Sequence, residues 1–125
     1  MHVLVVDDVQ VDRFIVKKLL MPMYGVTTLS SSKEAVAFAL SHTFDVALLN
    51  VTLRNDMDCI ELLEDLRNIC ALPFTAIATT CYVDKARHKK ILRSGFQSVM
   101  LKPFDVDQFN ALVDRHELQP AFIKR

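Results

Sequence analysis

Five short apolar runs alternate with helix-length segments along the chain, and few folds accept that order. The runs are His2–Val6, Gly25–Leu29, Asp45–Leu49, Phe74–Thr79 and Ser98–Leu101. Continuous Val, Ile and Leu in such runs suits strands covered on both faces. Between them the pattern predicts helices over about Gln10–Leu20, from Ser31 to about His42, from Asp58 to before Pro73, and over about Asp84–Ser94. A fifth helix follows Pro103, with Val106, Phe109, Leu112 and Val113 on one face. Ser31 with Glu34, and Asp58 with Glu61, mark helix starts, because a capping oxygen and an acid three residues on satisfy free N–H groups. Pro22, Pro73 and Gly95 mark stops. Strands alternating with helices imply right-handed crossovers, and so an α/β domain: a doubly wound, five-stranded parallel sheet with five helices.

A chain of 125 residues is the size of one domain with a self-sufficient core. The domain is expected over residues 1–118, with a short tail without clear structure over 119–125. Fifteen basic and fifteen acidic residues balance to zero net charge, so nothing draws the whole molecule to nucleic acid or to an acidic membrane. No apolar stretch reaches the length of a membrane span, and no leader pattern opens the chain, which points to the cytoplasm. Cys59, Cys70 and Cys81 are odd in number and lack metal-ligand spacing, so each is expected to pack as a small hydrophobe in a reducing compartment.

Function in such a sheet belongs at the carboxyl ends of its strands. The run Val3-Leu4-Val5-Val6 ends in Asp7-Asp8, and Val46-Ala47-Leu48-Leu49 ends in Asn50. The strand reading brings these residues together with Thr79, Thr80 and Lys102. Two acids and an amide can hold a hard cation such as Mg²⁺ through oxygen. They do not supply a third carboxylate as a nucleophile.

In order and spacing, these residues resemble the receiver domain of two-component response regulators, a chemotaxis-regulator-like fold. The resemblance covers about Met1–His116. Asp7-Asp8 stand at that family's metal-binding acidic pair, and Asn50 at its phosphoacceptor aspartate. Thr80 matches the hydroxyl residue that senses the phosphoryl group, and Lys102-Pro103-Phe104 the Lys-Pro segment after the fifth strand. Met57-Asp58-Cys59-Ile60-Glu61-Leu62 matches the start of the third helix. The resemblance implies a flavodoxin-like strand order of 2-1-3-4-5, a cis Lys102-Pro103 bond, and an output face on the fourth helix, fifth strand and fifth helix. On that face it places Lys89, Lys90, Arg93, Val99 and Phe104, with Phe96 as a further apolar anchor.

The departures from the family pattern are specific. In receivers a carboxylate attacks a phosphoryl group while Mg²⁺ and a lysine ammonium neutralise the developing charge. The Asn50 amide nitrogen has its lone pair in resonance with the carbonyl, and its oxygen is a poor nucleophile. Val99 stands where many receivers carry a ring that swings inward. The loop Thr52–Asp56 lacks the usual proline and carries an extra residue, and Cys59 replaces a glycine.

Each residue also has a plainer reading. Asp7 and Asp8 suit a helix N-terminus as well as a cation. Asn50 reads as a polar strand end satisfied by Lys102 or the backbone. Asp56 and Asp58 read as solvated loop acids before compensating carboxylates, and Thr80 also suits a turn cap. Lys102 is expected to serve as counter-charge to Asp7 and Asp8, which would otherwise repel. The basic run Lys85, Arg87, His88, Lys89, Lys90 and Arg93 reads first as a solvated face, then as a dock for an acidic partner.

The reading that follows is a non-enzymatic pseudo-receiver acting by protein contact in bacterial two-component or phosphorelay signalling. Its expected partners are a histidine kinase, a phosphotransfer protein or a downstream signalling protein, with a homodimer also admitted. Its only expected cofactor is weakly held Mg²⁺ at Asp7 and Asp8. The alternative is a phosphoryl-accepting receiver that uses Asp56 or Asp58. A phosphatase with an Asp nucleophile would show Asp-x-Asp-x-Thr after its first strand, where this chain reads Asp-Asp-Val-Gln-Val. A flavodoxin-like cofactor binder would need a phosphate-cradling loop, and neither Gly25 nor Gly95 stands in one.

Overall fold

The structure, a computed structural model, describes residues 1–51 and 58–123, with side chains described as far as residue 114. The elements follow as β1 (His2–Val6), α1 (Gln10–Leu20), β2 (Gly25–Leu29), α2 (Ser32–Ala39) and β3 (Val46–Asn50). They continue as α3 (Cys59–Ile69), β4 (Thr75–Thr80), α4 (Lys85–Arg93), β5 (Ser98–Leu101) and α5 (Val106–Ile123). All strand pairs are parallel, in the order β2-β1-β3-β4-β5, as expected.

Side-chain alternation divides the core in two. Val3 and Val5 of β1, with Val46 and Leu48 of β3, face α1 and α5 and pack on Val16, Leu20, Phe109 and Leu112. Leu4, Val6, Ala47 and Leu49 face the other way, onto Ala35 of α2, Leu62 and Leu66 of α3 and Ile91 of α4. Burial on both faces explains why these strands read as unbroken apolar runs.

Capping fixes the helix starts. Ser31 accepts the Glu34 N–H, and Glu34 reaches back to the Ser30 N–H and hydroxyl. Asp58 accepts the N–H groups of Ile60 and Glu61 and so opens α3. Asp84 accepts the Arg87 N–H at α4. Just past α4, Gly95 adopts φ of +116°, a backbone conformation that side chains disfavour.

β3 and β4 each lie one residue later than expected, and the structure departs further at two helix ends and at one cysteine. α2 ends at Ala39, short of His42; Leu40 still caps back to Val36, and His42 stacks on Phe38 from the following turn. α5 runs to Ile123, through much of the segment expected to lack structure. Glu117, Leu118 and Gln119 are good helix formers, and Pro120 removes one N–H near the helix end. Of the cysteines, Cys59 is buried as expected and Cys70 partly so, but Cys81 is exposed beside the strand ends. Burial and the Asp58 carboxylate push the Cys59 thiol up to about 11, so it packs as an inert hydrophobe. Among the described residues, no helix is long and apolar enough to cross a membrane.

Candidate functional site

The carboxyl ends of β1, β3, β4 and β5 deliver the rim. Asn50 is the last residue of β3 and sits opposite Thr79 of β4 in register. Asp7 follows β1 directly, and its N–H donates to the Leu29 carbonyl of β2 at 3.0 Å. After β5, Lys102 donates its N–H to the Thr80 carbonyl at 2.7 Å, and the Lys102-Pro103 bond is cis. An open pocket of about 350 Å³ is lined by Asp8, Asp12, Asn50, Thr80, Cys81 and Lys102. Of the expected rim residues, Asp8, Asn50, Thr80 and Lys102 line this pocket together.

Their pairing differs from expectation. Lys102 Nζ lies 2.9 Å from Asp7 Oδ2 and 2.8 Å from Asp12 Oδ2, and its side chain is only 15% exposed. Burial alone would lower the ammonium's pKa. Hydrogen bonds to Asp12 and Asp7, and the charges of both, outweigh burial and hold it above the ordinary lysine value. Lys102 is thus the counter-charge to Asp7 and Asp12, where Asp7 and Asp8 were expected. Asp8 instead accepts from the Asn50 amide nitrogen at 3.2 Å. Lys102, one of the partners expected for Asn50, pairs with Asp7 and Asp12 instead. Asp7 also accepts the Val9 N–H at 2.9 Å, and Arg13 donates to the Asp7 carbonyl at 2.7 Å. Asp7 and Asn50 are both buried.

Thr79 and Thr80 are now distinguishable. Thr79 is buried and faces the α1–α5 side, where it lines an apolar cavity of about 50 Å³ with Val5, Ile15, Met100 and Phe104. Thr80 lines the open rim, and its hydroxyl donates to the Tyr82 carbonyl at 2.9 Å and accepts the Tyr82 N–H at 3.3 Å. It caps the turn and borders the Asn50 pocket at once. Beside it, the Val51 N–H donates to the Thr79 carbonyl at 2.9 Å, so backbone pairing continues one residue past Asn50.

Asp58 is not a solvated loop acid. It caps α3 and takes a 3.0 Å ion pair from Arg87 of α4. Burial pushes its pKa up, but Arg87 and the N–H groups of Glu61 and Ile60 together hold it below the ordinary Asp value. Asp56 and the loop Thr52–Asp56 lie outside the described residues.

On the α4 side, Lys89, Lys90 and Arg93 are exposed, and α4 carries no acidic residue. A groove of about 500 Å³ beside it is lined by Tyr82, Val83, His88, Val99, Leu101 and Gln108. Phe104 turns away from this groove and packs on Phe109, with ring centroids 5.7 Å apart. Phe96 is buried in the core. Tyr82, Leu92 and Leu101 are exposed apolar residues of this face that the expectation omitted.

The donor set fits the family's Mg²⁺ only in part. Asp7 and Asp8 provide carboxylates at the rim, but Lys102 occupies Asp7, and Asn50 presents a hydrogen-bond donor to Asp8. Among the described residues, no group of three or more His, Cys, Asp or Glu is arranged to hold a metal ion.

The family model described as "Response regulator receiver domain" matches residues 3–114. A two-component response regulator from Clostridium difficile superposes with a TM-score of 0.83 at 19% identity, over 92% of this chain and 93% of its own. A CheY-like receiver domain protein from Methanospirillum hungatei JF-1 gives 0.82 at 23%, over 96% of each chain. The receiver domain of Francisella response regulator 1452 gives 0.77 at 25%, over 92% of this chain and 98% of its own. No curated protein matches the chain.

Proposed function

The chain belongs to the response regulator receiver domain family, and from that membership we propose that it is a pseudo-receiver, a signalling module that works by protein contact without being phosphorylated. The observation that carries this reading is Asn50 at the end of β3, with its amide nitrogen on Asp8. Phosphoryl transfer to a receiver needs an oxygen nucleophile at that strand end. A carboxamide donates a hydrogen bond there and carries no charge. Among the described residues, the Lys102 ammonium at this rim is already held by the carboxylates of Asp7 and Asp12.

Receiver domains serve as signalling modules, and we read this one as non-enzymatic and cytoplasmic. Mg²⁺ is at most a weak ligand of Asp7 and Asp8, because Asn50 returns no charge to the pair. The partner is a protein of the same signalling pathway, a kinase, a phosphotransfer protein or a downstream target. Exposed Lys89, Lys90 and Arg93 on an acid-free α4 support an acidic partner segment, and the neighbouring Val99–Leu101 groove supports an apolar anchor on it.

Incubation of the chain with acetyl phosphate and Mg²⁺ tests the reading. No acid-labile phosphate is expected, and no mass gain of one phosphoryl group. Stoichiometric incorporation at Asp56, Asp58 or any rim residue would refute it. Reversal of Lys89, Lys90 and Arg93 to glutamate should abolish capture of the physiological partner while leaving the fold intact.

A further inference from the structure

We propose that Asp12 is a built-in anion that holds Lys102 and thereby locks the β5–α5 junction in one state without modification. The inference rests on the pseudo-receiver reading above but concerns a different residue. Asp12 lies in the first turn of α1. Its carboxylate is 2.8 Å from Lys102 Nζ, as close as Asp7 at 2.9 Å. Two carboxylates therefore satisfy one mostly buried ammonium. A phosphoryl group arriving beside Asn50 would have to draw Lys102 away from both.

The same contact is mechanical. Lys102 is bound through its N–H to the Thr80 carbonyl of β4 and through its ammonium to α1. The residues just after β5 are thus tied to two elements that flank the Asn50 pocket. Asp12 exerts on the lysine, within the chain, the pull that an added anion would exert from outside. With that pull always present, the loop that carries Lys102 keeps one conformation. A receiver so arranged presents a constant surface, and its output is set by how much of the protein is there.

The test has two arms. In the first, Asn50→Asp restores a carboxylate whose oxygen can displace acetate from acetyl phosphate in the presence of Mg²⁺. Acid-labile phosphate should accumulate roughly tenfold faster in Asn50→Asp/Asp12→Asn than in Asn50→Asp alone, because Lys102 is then free to pair with the incoming group. Equal rates in two folded variants would overturn the proposal and leave Asp7 as the residue that holds the lysine. In the second arm, Asn50 is retained and hydrogen exchange is followed at the amide of Lys102, which the Thr80 carbonyl holds. Asp12→Asn should speed exchange there by roughly tenfold relative to core amides of β1 and β3, and unchanged exchange would overturn the lock. If neither Asn50→Asp protein accepts phosphate, the exchange arm decides alone. Phosphate on the unaltered chain would sink the pseudo-receiver reading and leave the exchange result standing.

Discussion

Asn50 donates its amide N–H to Asp8 Oδ1 across 3.2 Å, so the carboxyl end of β3 offers a proton donor to the acidic pair. Replacing that amide with a carboxylate changes an attraction into a repulsion at the same distance. Asn50→Asp should therefore lower stability in metal-free buffer by roughly 1–3 kcal/mol. It should also tighten Mg²⁺ binding, since the cation then meets a third negative charge. Urea unfolding with and without Mg²⁺, together with calorimetric titration, measures both effects. Equal Mg²⁺ affinity in the two proteins would contradict the charge argument.

Lys102→Met leaves two carboxylates facing each other, one of them on the buried Asp7. The expected cost is roughly 3 kcal/mol, because breaking a desolvated pair strands its charge. The pH dependence has a definite sign. The folded protein raises the Lys102 pKa, so the lysine's contribution is complete below the ordinary value of 10.5 and fades as pH climbs through the raised one. The stability gap between wild type and variant should be constant through neutral pH and shrink only in strong alkali. A gap that shrinks near neutrality would mean that another group carries it.

The Asp58–Arg87 pair links the start of α3 to α4, but both side chains are about a third exposed, at 34% and 28%. Arg87→Gln should cost at most about 1 kcal/mol after solvent screening. Here the folded protein lowers the carboxylate's pKa. The contribution is therefore present above the ordinary Asp value of 3.8 and disappears as pH falls through the lower folded value. Wild-type and variant unfolding curves should converge in acid, and a gap that persists there would assign the effect to packing of Arg87.

Ser31→Ala removes the cap on the Glu34 N–H and loosens the network that Glu34 closes with Ser30. A loss of about 1 kcal/mol is expected, or about 4 °C in melting temperature. An unchanged melting curve would place the stability of α2 wholly in its contacts with α3.

Much of this molecule is legible in its sequence because the relevant signals are local. β1 and α1 begin and end where the apolar run and the 3.6-residue period place them. Asp58 caps α3 as its spacing to Glu61 requires. β4 lies one residue later than expected, and that shift decides whether Thr79 or Thr80 meets the rim. What escaped were pairings between distant residues. Asp12 reads as an ordinary first-turn acid, and nothing nearby says that a lysine ninety positions on will reach it. Asp58 and Arg87 are separated by 29 residues and a strand. Phe104 reads as an apolar anchor, and only the packing of α5 shows that it turns inward onto Phe109.

The backbone bond from Val51 to Thr79 also governs how Asn50 ages. An asparagine drifts to aspartate when the next backbone nitrogen attacks its own side-chain carbonyl and closes a five-membered ring. Here that nitrogen is committed to a neighbouring strand, and it belongs to a buried, branched residue. Held in that bond, the nitrogen lacks the freedom to close the ring. The carboxamide is durable chemistry, so a population of this protein does not slowly acquire an acid at that spot while it waits in solution.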